Sequence, residues 1–115
     1  WWNSISGDVK DFKGYPEGKI TPGGAAVRLL EKYPNMYADL SANSGLNAIK
    51  RDPETGRKFL IDYSHKLLFG TDTFGGSDKS SQSHFDFFNT IDLPENVKNK
   101  IFSENARSLL KLNSI

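Results

Sequence analysis

A carboxylate stands where strand-end chemistry is done. Asp72 closes the apolar run Lys66 to Asp72 (KLLFGTD) and precedes the Gly- and Ser-rich segment Thr73 to Ser83 (TFGGSDKSSQS). In open α/β sheets and barrels, residues at the carboxyl ends of strands face the ligand crevice, where a carboxylate can bind a metal or take a proton from water. The same position also suits a plain turn former or cap. The two imidazoles, His65 and His84, show no metal-ligand spacing and read as structural or solvated. Ser41 has no His or acid beside it in sequence and is at best a pocket-lining hydroxyl rather than a nucleophile. Gly75-Gly76 could cradle a phosphate, but without a following Lys-Ser or Lys-Thr a flexible loop is the simpler reading. Trp1 and Trp2 could plug a core or line a pocket. Their place before a Gly-rich stretch tilts the expectation to the pocket. The mixed-charge stretch Lys50 to Lys58 reads as a solvated helix face.

The elements that would carry Asp72 come from a pattern repeated between residues 21 and 72, offset by about 31 residues, the length of one helix-plus-strand unit. Thr21-Pro22 and Asp52-Pro53 each read as an N-cap followed by Pro at the first helical position. Ala26, Leu30 and Tyr33 form an apolar stripe in the first helix, and Phe59, Leu60 and Tyr63 in the second. Pro34 stops the first, while His65-Lys66 places cationic character at the end of the second. Each helix leads into a strand-length run, Asn35 to Ser41 (NMYADLS) and Lys66 to Asp72. Alternation sets Met36, Ala38 and Leu40 against Tyr37, Asp39 and Ser41, and Leu67, Phe69 and Thr71 against Leu68, Gly70 and Asp72. The intervening crossover, a loop or short helix over 42–52 and then the second helix, demands parallel strands.

Beyond Asp72 the pattern predicts a long loop over Thr73 to Ser83 and an aromatic helical piece over His84 to Asn89. Pro94 then opens a helical tail with Val97, Ile101, Ala106, Leu109 and Leu110 on a face that packs. Residues 1–20 show no periodicity and read as loop. The row Tyr37, Asp39, Ser41, Asp72 is too polar to bury unless further strands complete a site, so the fold class is α/β and the domain, spanning residues 1–115, is incomplete.

Composition limits the partners. The chain has 115 residues, with 15 Lys plus Arg against 14 Asp plus Glu for a net charge of +1, which excludes a dedicated nucleic-acid binder. The absence of Cys removes disulfide scaffolds and thiolate sites. No apolar run is long enough for a membrane span, and a soluble, cytoplasmic protein is expected. A start at Trp1, Trp2, Asn3 and Ser4, with neither Met nor a signal pattern, predicts a piece of a longer protein.

Taken together, Trp2-Asn3-Ser4-Ile5-Ser6-Gly7-Asp8, Tyr33-Pro34-Asn35-Met36-Tyr37-Ala38-Asp39-Leu40-Ser41, Leu67-Leu68-Phe69-Gly70-Thr71-Asp72, and Asn105-Ala106 with Leu109-Leu110 closely resemble the C-terminal part of the amidohydrolase-related TIM-barrel metal hydrolases, amidohydrolase family 2. The resemblance implies that the two strands are the seventh and eighth of a (β/α)8 barrel. It implies that Asp72 is the eighth-strand aspartate, ligand to a divalent metal, zinc by preference, and general base toward a metal-activated water attacking an amide, ester or lactone carbonyl. Trp1, Trp2, Tyr37, Ser41 and Phe74 are the candidate substrate walls. The family's His ligands would lie before Trp1, so the 115 residues alone are expected to be inactive. The partners expected are a small-molecule substrate and, for exposed strand edges, a second copy or the missing part of the barrel. The rivals are nonoxidative decarboxylation on the same fold, a stand-alone α/β interaction module without chemistry, and a Gly-loop phosphate binder.

Overall fold

The computed structural model describes residues 1–10 and 13–112. A turn of 3-10 helix, Trp2–Ile5, is followed by α1 (Ala25–Lys32), β1 (Ala38–Asp39), α2 (Ala42–Lys50), α3 (Pro53–Asp62), β2 (Leu67–Leu68), α4 (Ser80–Thr90), α5 (Glu95–Asn99) and α6 (Asn105–Leu109). The two strands pair in parallel, with Ala38 opposite Leu67 and Asp39 opposite Leu68. Two further bonds, Leu40 N–H to Leu68 O at 2.9 Å and Ala42 N–H to Thr71 O at 3.4 Å, carry the contact to the carboxyl ends of both runs.

Of the two Pro-marked helix starts, one forms as expected. Asp52 is the N-cap of α3, its side chain accepting from Thr55 N, with Pro53 in the first turn. Thr21 does not cap α1. Its N–H donates to Ser6 Oγ at 2.8 Å, its carbonyl accepts from Gly7 N–H at 2.8 Å, and Gly23 turns left-handed at φ 88°. With Thr21 committed to the 6–7 segment, the helix starts only after Gly24. A Cβ on Gly24 would lie 2.2 Å from the Ile5 carbonyl oxygen, so that close approach requires glycine.

The strands are shorter than the runs that predict them: two residues of each enter the ladder. Each outer edge meets a few groups from elsewhere in the chain. On β1 the Trp2 indole N–H donates to Asp39 O at 3.1 Å. On β2 the Asn105 amide donates to Leu67 O at 2.9 Å, and Phe69 N–H donates to Ile101 O at 3.0 Å. That last bond depends on one π turn, Lys100–Glu104, between α5 and α6. Asn105 N–H reaches back to Lys100 O, which leaves the Ile101 carbonyl free to accept from the strand.

Alternation sorts β1 as expected: Ala38 and Leu40 are buried, Met36 is half-buried, and Tyr37 and Asp39 are exposed. On β2 Leu67 is fully buried, and Phe69 packs edge-on to Phe88 and tilted onto Phe102, with ring centroids 5.5 and 4.5 Å away. The core under this face gathers Trp2, Leu30, Ile49, Phe59, Leu60 and Ile101. Three expectations are corrected here. The aromatic helix starts at Ser80, not His84, so the loop after Asp72 is shorter than read. Lys66 is buried, and its ammonium holds the Leu30 and Tyr33 carbonyls at the end of α1 rather than serving α3. Finally, Leu109 and Leu110, expected to pack, are 45% and 64% exposed.

Candidate functional site

The carboxyl ends of β1 and β2 meet in a small group of residues, some foreseen and some not. Asp39 leaves β1 with its Oδ1 accepting from Ser41 N–H at 2.8 Å, a local turn that fixes both side chains. Gly70 lies against them: a Cβ there would stand 2.8 Å from Asp39 Oδ1 and 3.1 Å from Ser41 Cβ. Asp39, Ser41 and Gly70 therefore share the face that the core helices do not cover.

The next residues leave both strands in left-handed backbone. Ala42 has φ 62° and Asp72 φ 59°, although neither is glycine. For an L-residue this region costs about 1 kcal/mol or more, and Asp tolerates it better than Ala. The cost at Ala42 is met by two bonds: its N–H donates to Thr71 O, and its carbonyl accepts from His84 Nε2 at 3.0 Å. His84 is completely buried in α4 and edge-on to Phe69. Its reading as a structural rather than a solvated imidazole fits this placement. The chain then turns at Asp72, which is exposed, and Thr73 Oγ1 donates to Thr71 Oγ1 at 2.9 Å.

The remaining sequence candidates divide. Ser41 lies at this strand-end group, half-buried. Trp2 is only 6% exposed, packs at right angles to Phe59 and donates to the Asp39 carbonyl, and it still borders the hollow that Trp1 lines. Trp1 is 48% exposed and lines an open hollow of about 450 Å³ with Asn3, Tyr15 and Ser44, a grouping that brings in Tyr15 from a stretch read only as loop. Tyr37 lies elsewhere, in a hollow of about 420 Å³ with Pro34, Tyr63 and His65. Phe74 is 88% exposed, and its N–H donates to Asp78 Oδ2 at 3.0 Å. A carboxylate thus holds an amide that a phosphate at Gly75-Gly76 would compete for, which disfavours the phosphate-loop reading.

Titration behaviour is perturbed away from this group. The Asp52 carboxyl is held below the usual carboxylate range, chiefly by Ile20 N–H and then by Thr55, and Asp8 is held down by the Ser6 hydroxyl. Burial and the neighbouring Glu31 push the Tyr63 phenol up to about 12. Among the described residues no three His, Asp or Glu side chains converge on a common point. Asp72 fits a metal as one donor only, where such sites need about three from the protein, so these residues do not by themselves make a metal centre.

The model of the amidohydrolase family matches residues 14–112, nearly the whole chain and both strand ends. The chain belongs to the amidohydrolase family. No curated protein and no solved structure matches it. The amidohydrolase match takes in Asp39, Ser41, Asp72, Phe74 and His84 and begins after Trp1 and Trp2. Of these, sequence reasoning singled out Asp72, Ser41 and Phe74. It placed Asp39 in the polar row without giving it a role, and nothing in the sequence marks Ala42, because alanine carries no signal for left-handed backbone.

Proposed function

We propose that this chain is the C-terminal part of a (β/α)8 barrel hydrolase, with β1 and β2 as its seventh and eighth strands and Asp72 as its proton acceptor and one metal ligand. The observation that carries the reading is the position of Asp72 within the family match: an exposed carboxylate four residues past β2, following Thr71, whose carbonyl accepts from Ala42 N–H where the β1 run ends. A divalent metal, zinc by preference, would be completed by ligands outside these residues, and when bound it would acidify a water and polarise a carbonyl. This chain's part is then proton handling and placement. Asp72 takes the proton of the water that attacks an amide, ester or lactone carbonyl. Ser41 offers a hydroxyl at the rim. Trp1 supplies an aromatic wall on the flank.

The test is Asp72→Asn in the intact parent protein, followed by turnover of a p-nitrophenyl ester. Asn retains the left-handed backbone and the size of the side chain but cannot accept the proton, so turnover is expected to fall by roughly a hundred-fold or more with the fold intact. Unchanged turnover overturns the assignment. The isolated 115 residues with added zinc are expected to stay at background.

A further inference from the structure

The completely buried His84 is far from a conventional place for chemistry, yet its Nε2 reaches a backbone carbonyl at the strand ends. We infer that His84 is a positioning residue: by donating to Ala42 O it pins the left-handed Ala42 peptide against Thr71 and so fixes the direction in which Asp72 leaves β2. The inference rests on the reading of Asp72 given above.

The chain of contacts is short. A carbonyl can only accept, so Nε2 must carry the proton, which fixes the ring's role. The Ala42 N–H bond to Thr71 O is long, at 3.4 Å, and Ala42 has no intrinsic preference for φ 62°. The Ala42 carbonyl also stands in the first turn of α2, a place that the ordinary helical backbone would fill as well, so the His84 bond is the side-chain contact that holds this peptide. Relaxation there would release Thr71 O, one peptide from Asp72. The ring itself is held edge-on against Phe69 in the aromatic cluster, so it is anchored to the closed side of the sheet while its nitrogen acts at the open end. A histidine wanted only for packing could be replaced by an apolar residue of similar size; this one supplies a directed N–H to a strained peptide.

A rescue experiment separates the two roles, because glycine at position 42 occupies the left-handed region without a clamp. In the intact parent, hydrogen exchange by NMR at residue 42 and the amide shifts of Thr71 and Asp72 are measured beside turnover of a p-nitrophenyl ester. His84→Leu is expected to lower the protection factor at residue 42 and kcat by roughly ten-fold each, with KM little changed. Adding Ala42→Gly to His84→Leu is expected to restore most of both, and His84→Gln, which keeps an N–H donor, to lose less than His84→Leu. If His84→Leu fails to fold, restoration of folding by Ala42→Gly supports the clamp and its failure overturns it. Wild-type protection in His84→Leu, or a loss that Ala42→Gly does not repair, also overturns it. Should protection respond while turnover does not, and Asp72→Asn still abolishes turnover, the control of Asp72 by His84 fails and the catalytic assignment stands. Should Asp72→Asn leave turnover unchanged, that assignment fails instead, and the clamp is decided by protection alone.

Discussion

On the helix-covered face of the sheet, Ala38, Leu40 and Leu67 are 3%, 1% and 0% exposed, whereas on the other face Asp39 is exposed and Gly70 and Ser41 only half-covered. The first face is filled by apolar side chains from five helices and an aromatic cluster; the second carries Tyr37, Asp39 and Ser41 from one run and Leu68 and Gly70 from the other. Burial of apolar area is the main source of stability, so the covered face should carry the fold and the open face should be free to carry function. A sheet that obeyed the ordinary alternation of an isolated two-layer domain would look much the same, and the distinction therefore has to be made by energies rather than by appearance.

The covered face gives the largest expected effect. Leu67→Ala removes a completely buried side chain from the centre of the core and is expected to cost about 2–5 kcal/mol, read as a lowered midpoint in denaturant with the slope retained. A cost below about 1 kcal/mol would mean that the core under β2 collapses easily and that the face is not the one holding the fold.

The two faces also differ in how they treat an added methyl. At Gly56, where α3 crosses α2, a Cβ would stand 2.1 Å from the Ile49 carbonyl oxygen, a backbone atom that cannot step aside without moving a helix. At Gly70 the nearest atom is the end of the Asp39 side chain, which can rotate. Gly56→Ala is accordingly expected to destabilise by about 1–3 kcal/mol or more, and Gly70→Ala by clearly less, in matched thermal or chemical melts. Equal losses at both would erase the distinction. In the intact parent, Gly70→Ala should instead show itself in function, since it displaces the Asp39 carboxylate that holds Ser41 N–H.

Asn105 tests the seam between the faces. Its amide serves the Ser64 and Leu67 carbonyls, and Asn105→Ala leaves both without that donor, at an expected cost of about 1–3 kcal/mol. Faster hydrogen exchange should follow at Phe69, whose N–H depends on the adjacent π turn. Loss of stability without any change at Phe69 would show that the edge of β2 is held by packing alone.

How much of this could be read beforehand depended on whether the deciding contact was local. Asp52-Pro53 is legible because its cap bond runs to Thr55, three residues on. Thr21-Pro22 carries the same signal and fails, because Ser6 and Gly7 take Thr21's backbone groups from a distance no local pattern encodes. The alternation over 36–41 is legible for the same reason that α3 is. The tail held a clue that regular spacing obscures: Val97 to Ile101 is a step of four but Ile101 to Ala106 a step of five, the interval a π turn requires. The run expected to end at Asp72 is strand only over Leu67–Leu68, and Asp72 follows it in irregular backbone. The contacts at Ala42 were not legible, since they join residues 42, 71 and 84, which are distant in sequence, and use an alanine in a conformation its side chain disfavours.

Acid should act on the covered side before it acts on the fold as a whole. The Asp52 carboxyl, 2% exposed, is bonded by Ile20 N–H at 3.0 Å as well as by Thr55 N–H, and its pKa is lowered in the fold relative to the ordinary value of 3.8. A carboxyl whose folded pKa lies below its unfolded one binds fewer protons when folded, so its contribution is present above pH 3.8 and is lost as pH falls through the lower folded value. Asp8 has the same sign through Ser6 and adds to the same acid limb. Asp52→Asn is expected to lower stability near neutral pH and to flatten the decline below pH 3.8, measured as melting temperature against pH. An unchanged acid limb would show that the carboxylates responsible lie elsewhere.

The smallest expected effect is on the open face, and it is the sharpest test of the contrast. Ser41→Ala and Asp72→Asn change half-buried or exposed groups, and Asn suits the left-handed backbone at position 72 as well as Asp does. Each is expected to move stability by no more than about 0.5 kcal/mol. For Asp72→Asn the near-zero change in stability must coincide with the large loss of turnover in the intact parent. That combination follows only if the residue was placed for chemistry rather than for the fold. A substantial loss of stability at Asp72 would instead make its carboxylate a turn-forming group, as common at strand ends as any catalytic one, and the two faces of the sheet would then differ in polarity without differing in purpose.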